Sequence, residues 1–62
     1  MMPLKQYSNI KLKRAMPDLG LPAGITGTII EIFDELEGYE IEFDDPQAAI
    51  TYTLKREDIE PY

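Results

Sequence analysis

The side chains that could do chemistry in this chain are mostly carboxylates. Twelve Asp and Glu stand against six Lys and Arg, there is no histidine or cysteine, and the net charge is -6. Nucleophilic catalysis needs an activating base beside the nucleophile. Here histidine is missing, and Ser8 is the only serine. The same absences remove the usual thiolate and imidazole zinc sites. Paired carboxylates could still do acid-base work if a sheltered cleft drove their pKa values apart. Glu40 and Glu42, however, fall on the solvent side of a predicted strand. Calcium accepts several oxygen ligands, yet the spacing of Asp34, Glu35 and Glu37, or of Asp44 and Asp45, fits no recognised calcium loop. The reading is a protein that is not an enzyme, with no catalytic or metal-binding residues assigned and no cofactor.

What remains is binding, and the distribution of charge points to where. Lys5, Lys11, Lys13, Arg14, Lys55 and Arg56 all lie near the two ends of the chain. Between Ala15 and Leu54 there is no basic residue, while nine carboxylates fall there, among them Glu31, Asp34, Glu35, Glu37, Glu40 and Glu42. A hairpin over this block would carry Glu31, Glu40 and Glu42 on its outer face, with Phe33 or Ile30 as an apolar centre. Acidic rims steer association with basic partners, and open sheet edges accept added strands. The expected function is a non-enzymatic protein-protein interaction module, an accessory or neutralising partner of a basic protein. The alternative is a nucleic-acid-binding domain that uses Lys11, Lys13, Arg14, Lys55 and Arg56, brought together if the first and last strands are neighbours. The acidic hairpin would repel phosphate in that case. The plainest competitor is that the glutamates only solvate one face of a sheet.

The elements that must position these residues are short strands. Ile10 and Leu12 alternate with Lys11 and Lys13 from Asn9 onward, the pattern of a half-buried strand. The stretch from Met16 to Gly24 holds two prolines and two glycines and reads as a loop without helix, with Leu19 and Leu21 folded back over an open end of the core. The second strand opens at Gly24 and runs to Phe33. Its alternation breaks, which predicts a bulge near Ile30-Glu31 that aims Ile29 and Ile32 inward. A turn closed by Gly38 leads to Tyr39-Glu40-Ile41-Glu42-Phe43, with the apolar residues inward. A second turn around Asp45-Pro46 leads to a strand over Ala49 to Leu54 that buries Ile50, Tyr52 and Leu54. Lys55 to Asp58 has the length of one 3-10 turn, and Ile59 to Tyr62 can close the sheet as an edge strand that tolerates Pro61.

The chain then reads as one domain over residues 1–62, with 1–8 prone to fray. A domain this short hides only about 60% of its unfolded surface. The predicted core is Ile10, Leu12, Ile25, Ile29, Ile32, Tyr39, Ile41, Phe43, Ile50, Tyr52, Leu54 and Ile59. No segment resembles a signal peptide or a membrane span, and with no cysteine a reducing cytoplasmic setting fits best.

Five short strands, a long loop after the first and a glycine-opened second strand describe an all-β fold, a small five-stranded SH3-like barrel with at most one 3-10 turn. Residues Ala23 to Ile32, Tyr39 to Phe43, Tyr52 to Lys55 and Ile59 to Pro61 together resemble a family of short bacterial proteins catalogued as a domain of unknown function. The resemblance covers the chain from about Tyr7 onward. It implies the fold and assigns no functional residues. The Gly27-Thr28-Ile29 step also resembles the glycine-centred motif of ribosomal and transcription-factor barrels that contact RNA, and the layout is similar to small barrel subunits on the stromal face of photosystem I.

Overall fold

The computed structural model describes residues 4–33, 38–45 and 50–62. Five strands follow one another in the chain: β1 (Asn9–Leu12), β2 (Thr26–Phe33), β3 (Gly38–Phe43), β4 (Tyr52–Lys55) and β5 (Ile59–Pro61). They form one antiparallel sheet in the order β4-β3-β2-β1-β5. The fold class is the all-β one expected. The first and last strands are neighbours, and β4 and β5 lie at opposite ends of the hydrogen-bonded order, joined by a 3-10 turn over Arg56–Asp58.

β2 organises the sheet because it is the longest strand and pairs on both sides. Its first half pairs with β1, matching Thr28 to Asn9 and Thr26 to Lys11, while its whole length from Gly27 to Phe33 pairs with β3. The register shifts between Ile29 and Glu31, so the predicted bulge is present and centred on Ile30. Its consequence is the one the broken alternation implied: Ile29 is fully buried and Ile32 packs against the core. The backbone groups that a bulge withdraws from the ladder need other partners. Gln6 supplies one for Ile30, and residues 7–8 continue the β1 side of the ladder at Ile29. Gln6 Nε2 donates to the Ile30 carbonyl at 2.8 Å, and the Tyr7 amide donates to the Ile29 carbonyl at 2.6 Å. Ser8 accepts from the Ile29 amide, and Leu4 is buried beneath.

The buried core is Leu4, Ile10, Leu12, Leu21, Ile29, Ile41, Phe43, Leu54 and Ile59, with Met16, Ile25, Ile32, Tyr39 and Tyr52 packed partly against it. Three expectations need correction. First, the described residues already hold two 3-10 turns rather than at most one, since Pro17–Leu19 forms a turn inside the loop read as free of helix, in addition to Arg56–Asp58. Proline suits the first position of such a turn because its missing N–H would be unpaired there anyway. Gly20, in the left-handed region at φ 71°, closes it by donating to the Pro17 carbonyl at 3.0 Å. Second, Met16 and Leu21 exchange backbone hydrogen bonds across this turn, which buries Leu21 and leaves Leu19 outside. Third, Ile50 is 65% exposed. The β3–β4 ladder starts at Ile41–Tyr52 and does not extend back to Ile50. Phe43 packs on the Tyr52 ring instead, at 5.8 Å between centroids and tilted by 59°. The turns over 34–37 and 46–49 lie outside the described residues.

Candidate interaction face

Strand register fixes which side chains share the outer face. On β3, Ile41 and Phe43 are buried and Tyr39 packs on the core, so Glu40 and Glu42 project to the other side. Glu31 lies directly opposite Glu40, and Thr53 lies opposite Glu40 on the other flank. One row across the sheet therefore reads Thr53, Glu40, Glu31. The next row pairs Glu42 with Thr28, and Thr28 with Asn9. At the other end Phe33 stands opposite Gly38, and Gly38 opposite Lys55. Because glycine contributes no side chain, Phe33 has no cross-strand side chain beside it on β3. It is half-buried.

Like charges directly opposite each other on a sheet destabilise it, so the Glu31–Glu40 pair needs an offset. Two hydroxyls provide one. Thr51 Oγ1 donates to Glu40 Oε1, and Thr53 Oγ1 donates to Glu40 Oε2 at 2.8 Å. These bonds, Thr51's first and Thr53's second, hold the Glu40 carboxyl below the ordinary glutamate value, against a small opposing desolvation. Glu40 thus stays ionised beside Glu31. In the same manner Thr26 Oγ1 donates to Asp44 Oδ2 at 2.6 Å, adding a fourth carboxylate along the face.

The face predicted from Glu31, Glu40, Glu42 and Phe33 is thus assembled on the β2–β3 hairpin. Asp34, Glu35 and Glu37, expected at its tip, lie outside the described residues. The threonines that anchor Glu40 and Asp44 are what sequence reasoning missed. Thr51 and Thr53 alternate with inward residues of the fourth strand, and that spacing would have marked them as neighbours of Glu40 had the β3–β4 register been known.

The basic residues are arranged differently. Lys11 points outward from β1 and forms an ion pair with Glu60 on β5, Nζ to Oε1 3.4 Å. The Lys13 amide donates to the Asp58 carbonyl, which sets Lys13 beside the 3-10 turn that carries Arg56, Glu57 and Asp58. Arg56 turns its guanidinium back, with Nη1 donating to the Ile59 carbonyl at 2.8 Å. Lys13, Arg14 and Lys55 are exposed. Among the described residues no group of three or more carboxylates is placed to hold a metal ion. No helix among them is long and apolar enough to cross a membrane.

The fold and this face define a small all-β domain with a row of carboxylates across β2 and β3, two of which are held by threonine hydroxyls. Residues 6–61 match the family model of a domain of unknown function, DUF4926, and the chain belongs to that family. No match was found to a curated protein or to a solved structure.

Proposed function

We propose that this domain is a non-enzymatic protein-interaction module with an SH3-like barrel, working in the cytoplasm as an accessory or neutralising partner of a basic protein. The contact surface is the outer face of β2, β3 and β4, with Glu31, Glu40 and Glu42 as its charged row and Phe33 at its apolar end. The observation that carries this reading is the Glu31–Glu40 juxtaposition with its two threonine donors. A face that only had to be wet would not need two like charges directly opposite each other. The row concentrates negative charge on one face, which raises the encounter rate with a cationic surface.

The test uses Glu31→Lys and Glu42→Lys together, since both side chains are exposed. Wild type and variant are used side by side to capture proteins from a native lysate at low and high salt, after circular dichroism has shown that both are folded. The reading expects basic proteins held by wild type at low salt and lost with the variant. An identical set on both columns overturns it.

One observation favours the second reading, nucleic-acid binding. The β1–β5 pairing brings Lys13 to the turn that carries Arg56 and Lys11 beside Glu60 on β5, with Lys55 just before that turn and Arg14 just after Lys13. Glu57, Asp58 and Glu60 are interleaved with these cations, which lowers the net positive field. A mobility shift with RNA or DNA at low salt, abolished by Lys13→Glu, would favour it over the acidic face.

A further inference from the structure

The two edges of the sheet are finished in different ways, and the difference identifies a docking edge. On β5, the Tyr62 amide bonds the Asn9 carbonyl and the Lys13 amide bonds the Asp58 carbonyl. Antiparallel alternation then turns the backbone groups of Ile59 and Pro61 away from β1. Three of those four positions offer nothing to a partner. The Ile59 carbonyl accepts from Arg56 Nη1, the Ile59 amide donates to the Arg56 carbonyl, and Pro61 has no N–H.

Among the described residues the β4 edge has no such closure. The Asp44 amide donates to the Thr26 carbonyl, so alternation directs the backbone of Glu42 toward β2 and that of Ile41 and Tyr39 toward β4. Tyr52 and Leu54 therefore exchange bonds with β3. Thr53 turns its amide and carbonyl outward, and among the described residues nothing meets them. At its far end the edge is stopped, where the Lys55 amide donates to Asp58 Oδ2 at 3.0 Å.

We propose that β4 is the strand to which a partner adds an extended segment, antiparallel or parallel, with lysine or arginine at alternate positions. This rests on the interaction reading above and gives it a binding mode. Neighbouring strands lie about 5 Å apart, so an outward side chain of the added strand stands beside Thr53 and about 10 Å from the Glu40 backbone. Lysine and arginine span that gap to meet the Glu40 carboxylate. The intervening side chains would extend the inward row of Tyr52 and Leu54 and are apolar. A second copy of this chain is the wrong occupant, because pairing two β4 edges would set two acidic rows side by side on molecules that each carry -6.

The probe is a nine-residue peptide alternating valine and lysine, titrated into the isotopically labelled protein and followed by amide NMR. A peptide alternating valine and glutamate is the control. Shifts centred on Thr51 and Thr53, slowed exchange of the Thr53 amide and no response to the control are expected. Thr53→Pro removes an outward N–H without touching the β3 ladder and should abolish binding. If that variant fails to fold, the exchange rate of the Thr53 amide in wild type decides. Binding that shifts Glu31 and Glu42 while Thr53 exchange is unchanged overturns edge addition and leaves the acidic face standing. No shift at millimolar peptide also overturns it, while the face is judged separately by the charge-reversal capture. Concentration-dependent shifts of Thr53 without peptide would assign the edge to a second copy and overturn the proposal.

Discussion

At Gly27 one added carbon would meet its neighbours within ordinary contact distance. It faces the core between Ile10 on β1 and Phe43 on β3. A Cβ placed there would lie 2.8 Å from the Glu42 carbonyl oxygen, 3.0 Å from Phe43 Cδ1 and 3.1 Å from Ile41 Cγ2. Ordinary contact begins at 3.4 Å, so the carbonyl would have to retreat by 3.4 − 2.8 = 0.6 Å. That oxygen is directed at β2, and moving it stretches the ladder at the centre of the sheet. Overpacking of this kind costs about 1–3 kcal/mol, against which alanine recovers roughly 0.4–1 kcal/mol by restricting the unfolded chain. The net for Gly27→Ala is about 1–2 kcal/mol. At roughly 0.05–0.15 kcal/mol per residue the whole domain is held by about 3–9 kcal/mol, so the loss is a sizeable share. With about 4–8 °C of melting temperature per kcal/mol in domains of this size, a thermal melt by circular dichroism should fall by roughly 5–15 °C. Gly24→Ala is the control. Its Cβ would meet nothing within 4 Å, so its cost is the strain of φ 81°, about 1–2 kcal/mol, less the same unfolded-state gain of roughly 0.4–1 kcal/mol, a net of about 0–1.5 kcal/mol. A Gly27→Ala protein that melts at or above wild type would refute the close-approach argument. The same contact gives a structural reason for a glycine at the start of the Gly27-Thr28-Ile29 step, with no nucleic acid involved.

Three further outcomes are expected. In a Thr51→Val, Thr53→Val double variant the Glu40 carboxyl loses the two donors that depress it, so its pKa should rise toward the ordinary value. Because the folded value is the lowered one, that stabilisation is full above the unfolded glutamate pKa and disappears as pH falls through the folded value; wild type should exceed the variant at neutral pH and lose this advantage in acid. Carboxyl NMR that found Glu40 titrating at the same pH in both proteins would contradict this. Ile41→Ala, at a fully buried site, should cost about 2–5 kcal/mol and leave little cooperative melting, whereas Ile50→Ser, 65% exposed, should stay within about 0.5 kcal/mol of wild type; equal effects would mean that Ile50 is part of the core. Tyr7 is 70% exposed and holds φ at 69°, a region that asparagine tolerates better. Tyr7→Asn should therefore raise the melting temperature by a few degrees, and calorimetry showing a fall would mean that the ring contributes packing worth more than the strain.

Most of the fold could be read from the chain because the information was local. The broken alternation of β2 is a two-residue signal, and it located the bulge at Ile30 without any knowledge of the partner strand. Ile10 and Leu12 against Lys11 did the same for β1. The misreadings fall where local pattern competes with ladder geometry. Ile50 continues the alternation of Tyr52 and Leu54, but the β3–β4 ladder starts after it. Leu19 and Leu21 are equally apolar, and only the 3-10 turn started by Pro17 decides that one goes in and the other out. Leu4 lies outside any periodic segment, and its expected role of covering one end of the core holds: it is buried, with residues 7–8 bonded alongside β2.

The candidate face was legible in charge but not in detail. That Glu40 and Glu42 point outward follows from β3 alone. That Glu31 stands opposite Glu40 depends on the bulge, since a one-residue slip would send it to the other face. The threonine donors depend on a further register, between β3 and β4, which no local pattern encodes. The contrast between the edges needed a third kind of information, the direction of each backbone group. From the sequence, Pro61 is tolerable on an edge; from the ladder, it sits where an N–H would otherwise face outward, beside a carbonyl already taken by Arg56. A chain that merely avoided aggregation would gain from closing both edges. This one closes β5 with Pro61 and Arg56, while among the described residues nothing covers Thr53 on β4, beside a carboxylate row that would repel a second copy of itself. In the proposed binding mode the two features divide the work: the β4 edge would supply backbone bonds to an extended chain, and the carboxylates would restrict which chain can approach.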